Sequence, residues 1–355
     1  MSGTSAIFER DFKKFIKTPF MIVMTLMFPV FYLVIFGNAM GGSINHIPIG
    51  VAQEDSFDNS TPLFESAIEK MRQSTVFDVT VYSNEQNAKR ALQDGKIKAV
   101  AVFPDKYSRG NEIQLYVDSS EYLIPAVVDS GLNNILRNLE FQSQTRTTKI
   151  YGDVDYIQFF GVGVMVMAIF MSSMMGGGMS LIRDREMGII EGYLVTPVKR
   201  SSIIIGTIAS GTVKALVAAM LILIVTIPAA GIDIRSIEGF LLILLVLFLT
   251  SMGIISFVVA FASRLASQWA FSSIVSFLNL LLFMTSGAFY PIQGMPAWLQ
   301  YITWINPEAY SVHALRSIIL RDQGFSFILF DLVALFIFTI IFVTIGISSF
   351  RRTLE

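Results

Sequence analysis

The sequence has no cysteine and only two histidines, His46 and His313, in 355 residues. Lack of cysteine excludes disulfides, thiol chemistry and cysteine-ligated zinc or iron–sulfur centres. Two histidines are too few for an all-histidine metal site. Charge is scarce too: Asp, Glu, Lys and Arg make up 15% of the chain, where soluble domains usually carry roughly 25%. That deficit points to a bilayer as solvent. The net charge of −1 excludes the broad basic footprint of a nucleic-acid binder. Also missing is a G-x-x-x-x-G-K-[ST] loop, so the chain has no recognisable phosphate cradle for ATP.

What is present is apolar: 53% of the residues are hydrophobic. Six runs approach or exceed the ~20 residues that a ~30 Å hydrocarbon core requires at helical rise. They cover about 19–39, 156–181, 203–229, 240–262, 269–290 and 327–350. The first follows a basic preface and ends in small residues, as a secretory signal would. Its apolar stretch exceeds the 7–15 residues usual for such a signal, so it is read as an uncleaved helix. The expected fold is an α-helical polytopic membrane protein with six transmembrane helices and a small extracytoplasmic α/β domain between helices 1 and 2.

Orientation follows the lysine and arginine bias of short flanks. One side collects Arg10, Lys13, Lys14, Lys17, Arg183, Arg185, Lys199, Arg200, Arg264, Arg351 and Arg352; the other short loops offer Arg235, Arg316 and Arg321. Both termini are therefore expected in the cytoplasm, with the chain in the cell membrane. Segment 1–18 reads as an amphipathic elbow lying in the headgroup plane, with Phe8, Phe12, Phe15 and Ile16 on its apolar face. Helix 1 is placed at 19–40, the external domain at 41–155, and helices 2–6 within 156–355.

In the external segment, "IPIGVA", "FDVTVYS", "KIKAVAVF" and "EIQLYVD" read as strands, with helices over "LFESAIEKMRQ" and "NEQNAKRALQ". A long helix is expected from Tyr122 to about Ile150. The polar run Asp118-Ser119-Ser120-Glu121 reads as a strand-to-helix turn with capping residues.

Between the second and third runs lies a charged loop, 182–202, containing "RDREMGIIEGYLVTPVKRSS". Its centre can form a short helix with Ile189, Ile190, Tyr193 and Leu194 available for packing and Glu191 exposed. Pro197 then turns the chain, and Ser201 and Ser202 are placed to cap the third helix. With no deep acidic pair of the kind proton relays use, any drive for transport would come from outside this chain through a cytoplasmic contact. A plain hairpin loop obeying the inside rule accounts for the same residues.

Lys214 lies about 17 Å into the third run at helical rise. It should face the bundle or a wet cavity, attracting an anionic headgroup or ligand, or bonding Asn279 or free carbonyls. The methionines and glycines of "MVMAIFMSSMMGGGMS" suit close helix packing. Outside, 291–325 reads as re-entrant or interfacial helices, with Trp298, Tyr301, Trp304 and Tyr310 at the lipid boundary, acting as a gate or an anchor.

The loop "RDREMGIIEGYLVTPVKRSSIIIG" resembles the cytoplasmic signature of ABC-2 type permeases, commonly R-E-R-E-x-G-T-x-E-x-L-x-x-T-P-x. The family's arginines fall on Arg183 and Arg185, its hallmark glutamate on Glu191 and its T-P turn on Thr196-Pro197; Glu186 and Gly188 also fit. Asp184 and Ile189 depart from it. A second stretch, "SGAFYPIQGMPAWLQYITWINPEAYSVHALRSIIL", resembles the family's segment between the last two spans through Gly287, Pro291, Pro296, Trp298, Asn306, Pro307, Tyr310 and Arg316. The resemblance implies a permease subunit of an ATP-binding-cassette exporter, in its ectodomain-bearing subgroup, without an ATPase site of its own. It implies two permease copies, identical or homologous, and two separate ATPase subunits that bind ATP and Mg, with this chain binding no cofactor or metal. ATPase coupling would fall on Arg183, Arg185, Glu186, Gly188, Glu191, Leu194, Thr196 and Pro197, and an outer gate on Gly287, Pro291, Trp298, Asn306, Pro307, Tyr310 and Arg316; Lys214 and Asn279, read from their place in the spans and not from the resemblance, are the candidate conduit. The cargo would be amphipathic, lipid-linked or drug-like. The alternative is a membrane-anchored scaffold whose external domain binds a ligand or partner without transport.

Overall fold

The structure, a computed structural model, describes residues 3–17, 23, 26–31, 33, 46–53, 62–104, 113–121, 124–137, 145–149, 154, 156–194, 198–232, 234, 236–265 and 267–352. The chain forms two compact units. One comprises residues 40–159 and 291–296, the other residues 1–39, 160–290 and 297–355.

The smaller unit is built on a five-stranded sheet of β1 (Ile47–Gln53), β2 (Phe77–Val81), β3 (Ala99–Phe103), β4 (Ile113–Val117) and β5 (Thr145–Lys149), ordered β2-β1-β3-β4-β5. β1 pairs in parallel with β2 and β3, β3 antiparallel with β4, and β4 parallel with β5. Its helices are α2 (Pro62–Gln73), α3 (Glu85–Gln93) and α4 (Ile124–Arg137). β3 reads AVAVF and is buried throughout, as a strand covered on both faces should be. Val100 and Val102 pack with Ala88, Ala91 and Leu92 of α3. From the opposite face Phe103 meets Phe64 of α2 edge-on, with ring centroids 5.4 Å apart. Each such fully buried side chain contributes about 1.5–3 kcal/mol over exposure. Asn84 caps α3 by accepting from the Asn87 N–H at 2.8 Å.

Where one long helix was expected from Tyr122 to Ile150, the chain forms α4 and then β5. The segment TRTTK is rich in β-branched threonine, which favours a pleated strand beside β4 over a helix. At the polar run before α4, Asp118 accepts from the backbone N–H of Ser120 at 3.0 Å and from its hydroxyl, while Lys98 lies 3.1 Å away in a buried ion pair.

The larger unit is helical. It contains α1 (Gly3–Ile16), α5 (Tyr156–Ser173), a π-helical turn at Met174–Gly178, α6 (Met179–Glu186), α7 (Ile189–Leu194), α8 (Arg200–Ala230) and α9 (Ile237–Ala262). There follow α10 (Gln268–Thr285), α11 (Ala297–Thr303), α12 (Pro307–Ile319) and α13 (Phe325–Arg352). Five helical segments among the described residues are long and apolar enough to span a membrane: Tyr156–Glu186, Ser201–Ala229, Ile237–Ala262, Gln268–Thr285 and Phe325–Ser349. The expected first span at 19–40 falls largely outside the described residues. The second runs on to Glu186 through the π turn, past the expected limit at 181. The fifth stops at Thr285, short of Tyr290, because Gly287 turns the chain at φ +79°.

α9 is the hub, packing on α8, α12 and α13. Phe257 of α9 meets Phe342 of α13 at 5.0 Å, edge to face. At the π turn the helices come very close: a Cβ on Gly177 would fall 2.1 Å from Ile255 Cδ1, so a larger residue would push the Ile255 side chain aside. Outward, α10 and α13 expose Phe277, Leu280, Phe330, Phe336 and Ile340. Such continuous apolar faces suit lipid or a second apolar surface, not water.

The elbow differs in detail from its expected form. α1 lies along α8 and buries Ile7 and Asp11, with Ile7 packed over Gly206. Its Phe8 and Phe12 stack beside that stripe at 5.8 Å, while Ile16 is exposed. Nor do Ser201 and Ser202 cap α8; they lie inside its first turn, and Lys199 occupies the cap position.

Candidate functional site

The charged loop begins inside α6, where four consecutive side chains leave in different directions. Arg183 lines a cleft with Lys14 and Lys214. Asp184, only 3% exposed, accepts from Arg10 of α1 at 2.5 Å and lies 3.6 Å from the Lys14 ammonium. Arg185 donates to the carbonyl oxygens of Leu265 at 3.0 Å and Ser263 at 3.2 Å, just past the end of α9. Glu186 accepts from the Gln268 backbone N–H at 3.1 Å and from its side-chain amide.

Each bond answers a local requirement. A helix leaves its last carbonyls and first N–H groups unpaired; Arg185 takes carbonyls following α9, and Glu186 takes an N–H at the start of α10. Both charges also have the sign that the respective helix ends favour. Asp184 is buried, so its charge must be paired, and Arg10 supplies the partner. One turn of helix thus ties together α1, the end of α9 and the start of α10.

Gly188 ends that turn. Its φ of +67° lies in the left-handed region, and its N–H reaches the Arg185 carbonyl at 3.1 Å, an arrangement that glycine adopts without the Cβ penalty. The chain restarts as α7, which carries Glu191 and Leu194 in its backbone and buries Ile190. Thr196 and Pro197 lie outside the described residues. Beyond them Val198 returns against α1, where a Cβ on Gly3 would sit 2.8 Å from Val198 Cγ1. α1 therefore touches both arms of the loop.

At the other end of α10 the turn is fastened by Asn306. Its side-chain oxygen accepts from the Glu308 N–H at 2.9 Å, capping α12, and its amide donates to the Leu282 carbonyl at 2.6 Å and to Thr285 Oγ1 at 3.0 Å. Pro307 occupies the first turn of α12, where its missing N–H costs nothing. Arg316 donates to the Ala288 carbonyl at 3.2 Å, and the Tyr310 hydroxyl to the Trp304 carbonyl at 2.6 Å. Trp298 is exposed, as an interfacial anchor would be. Pro291 opens a short 3-10 turn, Ile292–Gly294, that clusters with the sheet-bearing unit. The expected conduit pair is not brought together: Lys214 donates to the Gly176 carbonyl at 3.1 Å, and the Asn279 amide faces Met171 Sδ at 3.6 Å.

Residues 19–348 match the model of the family described as ABC-2 family transporter protein. The chain belongs to that family. It is 21% identical over 364 residues to the Escherichia coli (strain K12) protein named "Probable multidrug ABC transporter permease YbhR", covering 98% of this chain and 97% of that one. It is 25% identical over 358 residues to "Inner membrane transport permease YhhJ" of the same strain, covering 94% and 93%. A third relative is "ABC transporter G family member 20" of Dictyostelium discoideum, 22% identical over 344 residues, which are 90% of this chain and 46% of that protein.

In this ABC-2 transporter several polar residues outside the motifs are structurally prominent. Asp184, a departure from the signature, is the tie to α1. Arg10 and Lys14 of the elbow matter as its partners. Glu308 is buried with neither carboxylate oxygen hydrogen-bonded among the described residues, and burial pushes its carboxyl pKa well above the usual range. Asp331, buried near the start of α13, lies 2.8 Å from His313 Nδ1. The available signals were an acid directly after an Asn-Pro start and an acid inside an apolar run.

Proposed function

We propose that this chain is the membrane-spanning permease subunit of an exporter, driven by ATP and Mg bound on separate ATPase subunits. Two permease copies, identical or homologous, flank the pathway. In this reading the segment 19–40 is the first of six spans, the α/β unit is extracytoplasmic, and both termini lie in the cytoplasm of a cell whose bounding membrane holds the protein. The name of the YbhR relative favours a drug-like, amphipathic cargo over a lipid-linked one, and that of the YhhJ relative favours an inner cell membrane.

One observation carries the reading: the loop bearing the signature is bonded to three helical elements at once through Asp184, Arg185 and Glu186. A loop so fastened passes a push on α7 into the bundle, whereas a slack hairpin would absorb it. Arg185 and Glu186 act inside the chain as the fastening, leaving Glu191 on α7 to meet the ATPase. Concentration of Arg10, Lys14, Arg183, Arg185 and Arg264 around this end supports its cytoplasmic placement. At the opposite end, Asn306 and Arg316 hold the turn that serves as the outer gate.

The test is Glu191→Ala in the permease co-expressed with its ATPase. Membrane abundance should match the wild type while transport and ATPase stimulation fall at least about tenfold, the loss expected for a charged contact worth about 1.4 kcal/mol or more. Full transport by that variant overturns the coupling role.

A further inference from the structure

A small, partly open cleft of about 20 Å³ lies between α1, the π turn and α8, and its charge does not balance. Four cations gather in or beside it: Arg10, Lys14, Arg183 and Lys214. Among the described residues only two anions accompany them, Asp11 and Asp184, and both are claimed by Arg10, with Nη2 at 2.5 Å from each. Lys14 lies 3.6 Å from Asp184. The Arg183 guanidinium has no ion-pair or hydrogen-bond partner among the described residues. Lys214 is 3% exposed and spends one of its three donors on the Gly176 carbonyl.

Burying an ammonium without an anionic partner is costly, and a neutral carbonyl does not neutralise it. The Phe15 ring, 5.8 Å from the Lys214 ammonium, adds a weak attraction. The Ser180 hydroxyl adds one more group able to donate. Convergent lysine, arginine and hydroxyl donors around a small cleft match an oxyanion with several acceptor oxygens. Phe15 and Met175 make part of the wall apolar, so the oxyanion can bear a hydrocarbon substituent.

We propose that this cleft binds a phosphate group, held by Lys14, Arg183 and Lys214. Its chemistry is shared by two sources, the phosphodiester of an anionic lipid and free phosphate. The site is separate from the motif contacts on α7, and its occupancy can be measured without turnover or an ATPase.

Full-length protein purified in detergent is offered phosphatidylglycerol, phosphatidylcholine or inorganic phosphate at about 150 mM salt, near physiological screening. Retained lipid is counted by native mass spectrometry, and phosphate binding is read by calorimetry. Retention of phosphatidylglycerol over phosphatidylcholine supports a lipid headgroup; binding of inorganic phosphate supports a soluble source. In either case Arg183→Gln and Lys214→Met should weaken binding at least about tenfold, the loss expected for a charge-assisted hydrogen bond. Lys14→Gln, at a half-exposed position, gives a variant that folds if the buried changes do not, and should weaken binding in the same direction. Lys96→Gln in the sheet-bearing unit should leave binding unchanged. Equal retention of the two lipids with no phosphate binding overturns the proposal. So does folded Lys14→Gln or Arg183→Gln protein that binds as the wild type does.

Discussion

Replacing Asn306 with alanine removes three hydrogen bonds at a position 1% exposed to solvent. The cap on Glu308 N–H is worth about 1 kcal/mol, within a range of 0.5–2. Loss of the donor to the Leu282 carbonyl, 2.6 Å away, leaves that acceptor with the longer bond from Thr285 Oγ1 at 3.3 Å, at a further cost of about 1 kcal/mol. Thr285 Oγ1 keeps its own bond to the Leu281 carbonyl at 2.8 Å, so little more is lost there. The sum is about 2 kcal/mol, enough to lower the melting temperature of a chain of this length by about 3 °C. Asn306→Ser retains a capping oxygen and loses the amide, so it should fall between Asn306→Ala and the wild type. Thermal unfolding of detergent-purified protein, read by monodispersity on size exclusion after heating, measures the series. An alanine variant melting within about 1 °C of wild type would refute the assignment of Asn306 as the fastening between α10 and α12.

Arg185→Met keeps most of the side-chain volume but frees the carbonyls of Ser263 and Leu265; transport should fall at least about fivefold with membrane abundance preserved, corresponding to the loss of about 1 kcal/mol of positioning. Unchanged transport would show that the tie to α9 carries no force. For Glu308 the sign of the pH effect is fixed by its raised carboxyl pKa: the folded chain retains a proton that the unfolded chain releases above the ordinary 4.5, so stability falls as pH rises between those two values. Glu308→Gln mimics the protonated form and should melt higher than wild type at pH 8, with the gap shrinking toward pH 5. A gap independent of pH would disprove that burial.

Local pattern made much of the fold legible. Four of five strands and the helices between the first three followed from alternation and turn residues, because each signal lies within a few neighbouring positions. β5 escaped because it lies in a polar, threonine-rich stretch that an expected leading helix passed over, and its pairing with β4 is a non-local contact. The five described spans were marked by apolar length, but their ends were set by particular atoms: the turn at Gly287 shortened α10, and the π turn carried the second span on to Glu186. The motif identified Arg185 and Glu186 while hiding what they touch, since Ser263, Leu265 and Gln268 lie roughly 80 positions along the chain. Asp184 looked like a neutral departure from the signature. Its meaning appears only when α1 folds back across α8 and places Arg10 beside it.

These ties give α10 a special position. At one end the Gln268 N–H is held by Glu186 of the charged loop. At the other the Leu282 carbonyl is held by Asn306, and the Thr285 carbonyl by the Thr303 hydroxyl at 3.0 Å. A helix transmits displacement along its axis because its backbone ladder resists stretching, so a rod pinned at both ends links what happens at the two ends. The sides of α10 are comparatively free: Ile274, Phe277 and Leu280 are exposed in this chain, and apolar lipid contacts allow sliding that an interlocked core would resist. A permease that must open outside in response to a push from inside needs such an element. In the proposed reading α10 would be that element, with α9, packed against α8, α12 and α13, as its frame.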